Sequence, residues 1–189
     1  MPVLSKIRDT MKKQRISSDI MSQMDFEADT NDPKNVIAVI DKMDELLTNE
    51  QCLSVMEKQG CCKSGYRDKE CKAFAKEHGS KTLAEKLALL SGVRNMMAPY
   101  LNDDGTITVT FGGFQNGVHS GHNTCACYLI KNLKQPFSVS PTYCGCCAGH
   151  FMYHYQNALG VKLKLKAINS SPLNSNGEKP CSFSFEVIG

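Results

Sequence analysis

The sequence predicts an α+β fold, with a helical N-terminal half and a C-terminal half in which one long helix packs on an antiparallel sheet. Three observations lead to this prediction. Apolar residues recur at helical spacing through residues 1–98, alternating strand patterns occur near the C-terminus, and one long helical pattern precedes them. A chain of 189 residues with 41% hydrophobic residues is large enough to bury a core without covalent crosslinks.

The first half of the chain is predicted to consist of helices. Residues 1–31 have helical apolar spacing followed by a polar stretch, which indicates a helical or partly disordered arm. A helical region follows over 32–98, including a helix predicted from about 66 to 78. The predicted start signals are Asp32 before Pro33, Asn49, and a capping box of Thr82 with Glu85.

Residues 99–189 are predicted to form the α+β region. Apolar and polar residues alternate over 106–111, 161–168 and 181–187, as they do in strands with one buried face. A helix is predicted from Ser140–Pro141 to about residue 159. The last two strands should pair antiparallel, because the loop between them is too short to require a crossover. The lysines that alternate through 161–168 indicate a solvated sheet face rather than a binding surface for an acidic ligand.

Composition excludes several classes of partner. The net charge is only +3 and the chain has no tryptophan, so neither a strong phosphate-binding surface nor a base-stacking platform is indicated, and we expect no nucleic acid partner. The chain has no long apolar run and its first 20 residues contain no apolar signal core, so we expect no membrane association and a cytoplasmic location. Whether it forms an oligomer stays open.

The chain contains ten cysteines. In a reducing compartment, such a cysteine content favours metal binding or catalysis over disulfide bonds. The last 90 residues hold six of these cysteines and few carboxylates, and thiolate and imidazole ligands suit zinc, iron or copper rather than Ca²⁺ or Mg²⁺. The carboxylates in this part are Asp103, Asp104, Glu178 and Glu186.

Five of these six cysteines lie in two short segments. Cys125 and Cys127 lie in the connection after the first predicted strand, while Cys144 and Cys147 are neighbours one turn apart at the start of the long helix. The positive end of a helix dipole lowers the pKa of a thiol and favours the thiolate, which is the form needed for metal binding and for nucleophilic attack. The cluster therefore indicates a metal site or a reactive thiol, with inert packing as the alternative.

The reactive-thiol alternative is a hydrolase. In it, Cys146 or Cys144 is the nucleophile and His150 or His122 is the general base. Backbone N–H groups of the helix start and of Gly112–Gly113 would form the oxyanion hole.

The segment from Tyr143 to the C-terminus resembles a known family. The run YCGCCAGHF over 143–151, a helix ending in Leu-Gly, a strand, Gly177, and the ending Cys181-Ser-Phe resemble the closing segment of 4-vinyl-reductase-like domains and the related aminothiazoline-carboxylate hydrolase family. The resemblance covers about a quarter of the chain. It implies an α/β sensor-like fold that holds a small, often hydrophobic ligand.

The same resemblance implies a zinc site in some members. Their ligands are a cysteine at the helix start, a glutamate and a cysteine between the two strands, and the final cysteine; Cys144 and Cys181 match the first and the last. Residues 167–171 provide neither inter-strand ligand, so a bound zinc ion would have to recruit other cysteines. We therefore expect a small-molecule-binding, sensor-like domain whose zinc ligands come from Cys125, Cys127, Cys144, Cys147 and Cys181.

Overall fold

The structure, a computed structural model, places seven α-helices and six strands within the residues that it describes: 3–60, 63–93, 96–111, 114–115, 118–119, 123, 125, 127, 129–130 and 139–189. The helices are α1 Leu4–Lys13, α2 Ser18–Met21, α3 Pro33–Leu46, α4 Asn49–Met56, α5 Tyr66–His78, α6 Leu83–Leu90 and α7 Gly145–Leu159. The strands are β1 Tyr100–Leu101, β2 Ile107–Phe111, β3 Phe114–Gln115, β4 Val118–His119, β5 Leu163–Ser170 and β6 Cys181–Val187. None of these helices has the length and apolarity needed to cross a lipid bilayer.

Four strands form an antiparallel sheet in the order β1-β2-β6-β5. The register pairs Phe111 with Cys181, Val109 with Phe183 and Leu163 with Val187. Helix α7 packs against this sheet, as the apolar faces of the strands require. The α+β fold predicted from the sequence is therefore confirmed, together with the antiparallel pairing of the last two strands.

Side-chain caps explain why several helices begin where they do. Asp32 accepts a hydrogen bond from the backbone N–H of Lys34, with proline at the first helical position. The capping box of Thr82 with Glu85 is also present, as predicted. The predicted cap at Asn49 is wrong by one residue, because Thr48 is the N-cap and forms a capping box with the side chain of Gln51.

The alternating lysines of β5 form ion pairs with carboxylates of the same chain. Lys164 contacts Glu50 at 2.7 Å and Lys166 contacts Asp104 at 3.0 Å. Hydrogen bonds from Thr106, and secondarily the contact with Lys166, lower the pKa of Asp104 to about 2. Both lysines of β5 are thus paired with carboxylates of the same chain.

Two apolar cores share helix α7 and the turn before it. One core lies between α7 and the sheet and includes Phe151 and Tyr155 of the helix. The other lies among α1, α3 and α4, where Tyr143 and Cys146 pack against them. Helix α1 belongs to this second core, since its apolar residues Leu4, Ile7 and Met11 are fully buried.

A short 3-10 turn, Glu57–Gln59, crosses α7 with the two backbones in contact. A Cβ atom on Gly60 would lie 2.6 Å from the carbonyl carbon of Gly149, and a Cβ atom on Gly149 would overlap the carbonyl oxygen of Glu57. The buried carboxylate of Glu57 accepts a hydrogen bond of 2.9 Å from the backbone N–H of Leu165 in the edge strand β5. The turn therefore contacts both α7 and the sheet, and so connects the N-terminal helices to them.

We expect Gly149→Ala to lower the free energy of unfolding by about 3 kcal/mol, because the added methyl group overlaps backbone that cannot move without displacing the turn. Chemical denaturation measures this loss. Gly92→Ala is the matched control, because a Cβ atom there meets only an ordinary contact at 3.6 Å. Its unfolding free energy should stay within about 1 kcal/mol of the wild type. Equal effects of the two substitutions would contradict the close contact.

Candidate functional site

The start of α7 is built by a capped turn. The Ser140 side chain accepts a hydrogen bond from the N–H of Thr142, and Pro141 opens a 3-10 turn that continues into α7 at Gly145. This turn places Cys144 in the core against the sheet, whereas Cys146 belongs to the helical core. The two cysteines are therefore buried in different environments although one residue separates them.

Four of the five cysteines predicted as metal ligands act electrostatically on the fifth, Cys181. Burial raises the pKa of Cys181, and the nearby thiols of Cys144, Cys147, Cys125 and Cys127 raise it further. Thiols from two other parts of the chain therefore lie within range of electrostatic interaction with Cys181. These five residues are called the cysteine cluster below. Cys144 and Cys181 are 5% and 4% exposed, and the other three are half-buried.

Polar groups contact sulfur atoms of the cysteine cluster. The backbone N–H of Cys127 donates to Sγ of Cys125 at 3.4 Å. The hydroxyl of Tyr143 lies 3.2 Å from Sγ of Cys127. A side-chain hydrogen bond with Ser171 lowers the pKa of Cys144, against the larger effect of burial. Donors of this kind stabilise a thiolate and orient it, as the outer shell of a metal site does.

Burial keeps the thiols of Cys125, Cys144 and Cys181 protonated when no cation is present. It raises the pKa of Cys144 to about 12 and also raises the pKa of Cys125. A bound cation would reverse this effect, because a coordinating thiol is deprotonated by the charge of the ion. The electrostatics thus favour either neutral thiols or thiolates on a metal ion.

The donor chemistry fits zinc, which is held in structural sites by four thiolates or by thiolates with imidazole. In the described part of the chain, however, no group of three or more histidine, cysteine, aspartate or glutamate side chains is already arranged as a ligand set. An ion would therefore have to draw the thiols of the cysteine cluster closer together than they lie here.

The residues of the alternative hydrolase site make other contacts. The buried thiol of Cys146 donates to the carbonyl oxygen of Gln59 at 3.3 Å, and Nε2 of His150 lies 2.6 Å from a guanidinium nitrogen of Arg67. His122 and Gly112–Gly113 lie outside the described residues. The pairing of Cys146 with His150 as nucleophile and base stays a prediction.

Sequence reasoning missed two polar residues of the site, Tyr143 and Ser171. Each is almost fully buried, at 2% and 1% exposure. The position of Tyr143 directly before the cysteine motif could have indicated its role, because a buried phenolic hydroxyl needs a hydrogen-bond partner. Ser171 carries no such signal, because only the fold brings the residue after β5 to the start of α7.

Comparisons with known proteins identify no relative of this chain. No protein-family model, no curated protein and no solved structure matches the chain.

A double-mutant cycle tests the contact between Tyr143 and Cys127. Tyr143→Phe and Cys127→Ala should be coupled by about 1 kcal/mol in unfolding free energy, because each removes one partner of the same hydrogen bond. Chemical denaturation of the metal-free protein measures the four variants. Cys71→Ala serves as the control partner, since the Cys71 thiol contacts Met96 and His154 instead. Additive effects of Tyr143→Phe and Cys127→Ala would contradict the contact.

Proposed function

We propose that this protein is a small-ligand-binding, sensor-like domain whose cysteine cluster binds zinc. The observation that supports the zinc part is that the thiols of Cys125, Cys127, Cys144 and Cys147 act electrostatically on Cys181, although they come from separate parts of the chain. So dense a group of sulfur atoms in a chain with few nearby carboxylates supports a thiolate-binding ion.

The five proposed zinc ligands differ in how deeply they are buried. Cys144 and Cys181 are the two buried members, and each lies at the start of a regular element that holds its backbone. The half-buried Cys125, Cys127 and Cys147 supply the remaining two ligands of a tetrahedral site, with one thiol left over. An ion with four thiolate ligands would leave no open position, which favours a structural role over a catalytic one.

Zinc at this place would join three parts of the fold. It would hold the 125–127 segment against the start of α7 and the start of β6, and so connect the helical core to the sheet core. Because binding to the folded state alone stabilises that state by mass action, removal of zinc should lower the stability of the protein.

The ligand part of the proposal is supported by the resemblance to 4-vinyl-reductase-like domains, which implies a small, often hydrophobic ligand. The zinc part is supported by contacts within the chain. The two parts can therefore be tested separately.

Protein purified anaerobically should contain about one equivalent of zinc by elemental analysis. After chelation, Co²⁺ should restore the site and produce the charge-transfer absorption of cobalt thiolates. Cys181→Ser should lower the affinity for Co²⁺ by roughly 100-fold or more, because it removes a ligand. Cys52→Ser is the matched control, since Cys52 is a buried cysteine outside the cluster whose thiol donates to the carbonyl of Met43.

Circular dichroism of each variant separates loss of the site from loss of the fold. If the folded wild-type protein carries no zinc and shows no cobalt-thiolate absorption, the zinc proposal is wrong. Equal loss of Co²⁺ affinity in the Cys52 and Cys181 variants would also contradict it.

A further inference from the structure

Cys144 and Cys147 lie three positions apart on one continuous stretch of helical backbone. Cys144 ends the 3-10 turn with φ −70° and ψ −10°, and α7 continues from Gly145 through Cys147. In helical backbone, the Cα atoms of residues three positions apart are separated by about 5 Å. A disulfide bond needs a Cα separation of roughly 4.4–6.8 Å. The helix therefore already holds these two residues at a distance that a disulfide bond can span.

The two residues also belong to the same core. Cys144 is part of the core between α7 and the sheet, and Cys147 packs against that core. Cys146, which lies between them in sequence, is buried in the helical core instead, where its thiol donates to the carbonyl oxygen of Gln59 at 3.3 Å. Of the three cysteines on this turn, Cys144 and Cys147 are therefore the pair on one side of the helix.

The two residues differ in how accessible they are. Cys147 is half-buried, whereas Cys144 is only 5% exposed and its thiol is held by a hydrogen bond with the side chain of Ser171. A small oxidant in solution therefore reaches Cys147 first. A cysteine oxidised to the sulfenic acid condenses with a neighbouring thiol to a disulfide, which stops the oxidation at a reversible stage. The start of α7 combines an accessible thiol with a sheltered one.

The other thiols of the cysteine cluster lie on separate parts of the chain. Sγ of Cys125 accepts a hydrogen bond from the backbone N–H of Cys127, and Cys181 is fixed in the ladder between β6 and β2. A bond from Cys147 to one of these three requires that two separate backbone segments have the right separation. A bond to Cys144 requires adjustment only within one helical turn.

We propose that Cys144 and Cys147 form a reversible disulfide bond when the protein meets a hydroperoxide, and that this bond is a redox switch of the cysteine cluster. With hydrogen peroxide, the sulfur of Cys147 takes one peroxide oxygen as the O–O bond breaks, which gives a sulfenic acid and one water molecule. The sulfur of Cys144 then attacks the sulfenic sulfur. The S–S bond forms, the S–O bond breaks, and the hydroxyl group leaves as a second water molecule with the thiol proton.

The disulfide removes ligands from the proposed zinc ion. Cys144 is one of the two buried ligands, and a disulfide sulfur no longer has the thiolate charge that binds the metal. Oxidation should therefore release zinc, and reduction should restore the site. This regulatory role rests on the proposed function, whereas formation of the disulfide needs no zinc.

The first experiment uses the full-length protein after metal removal by a chelator. The protein is treated with one equivalent of hydrogen peroxide and denatured in N-ethylmaleimide, which blocks the remaining thiols. It is then reduced, and the released thiols are labelled with iodoacetamide and located by fragmentation mass spectrometry. We expect the iodoacetamide label on Cys144 and Cys147 together, with N-ethylmaleimide on Cys146, and loss of the label when dithiothreitol is added before blocking. A bridge from Cys147 to another cysteine, or no bridge, would overturn the inference.

Two variants test the order of the steps, with circular dichroism to confirm that each is folded. Cys144→Ser removes the thiol that attacks the sulfenic acid, so dimedone should trap Cys147 at least about fivefold more than in the wild type. Cys146→Ala is the matched control on the same turn, and it should form the disulfide as the wild type does. Equal trapping in Cys144→Ser and in the wild type would contradict the proposed order.

The second experiment adds hydrogen peroxide to zinc-loaded protein and records the released zinc with a chromogenic chelator. Zinc should appear in step with the disulfide, and dithiothreitol should reverse the release. Retention of zinc by protein that carries the disulfide would overturn the regulatory role. If the protein binds no zinc, the proposed function fails and the regulatory role fails with it, whereas a missing disulfide in the metal-free protein overturns this inference alone.

Discussion

The backbone contact between Gly60 and Gly149 sets the position of helix α7, and most of the remaining structure depends on that position. Only glycine allows the turn Glu57–Gln59 and its neighbour Gly60 to lie this close to the helix, because a Cβ atom on either side would overlap backbone atoms. With the helix seated there, Glu57 reaches the N–H of Leu165 and joins the turn to the sheet. One crossing thereby links both cores.

This crossing also determines which way each cysteine at the start of α7 faces. Cys144, the N-cap of α7, is buried in the core against the sheet, which also contains Cys181, whereas Cys146 is buried in the helical core. The cysteine cluster therefore forms where the two cores meet, and an ion bound there would reinforce the same connection that the glycines allow. On the same helix, the face that carries His150 meets α5 and Arg67.

Local signals made much of the fold predictable. The caps at Asp32 and Thr82, and the alternation in β2, β5 and β6, act between neighbouring residues and can be seen in the sequence alone. The glycine crossing was not predictable, because it depends on two residues far apart in sequence. For the same reason, sequence spacing indicates a dense group of cysteines but gives no sign of the contact between Ser171 and Cys144.

The central claim is that the cysteine cluster holds one metal ion through sulfur atoms from three parts of the chain. X-ray absorption at the zinc edge, on protein purified anaerobically and not exposed to added metal, tests it most directly. Zinc bound by the cysteine cluster should have a first shell of about four sulfur atoms at about 2.3 Å. A first shell dominated by nitrogen or oxygen at about 2.0 Å, or the absence of bound zinc, would contradict it.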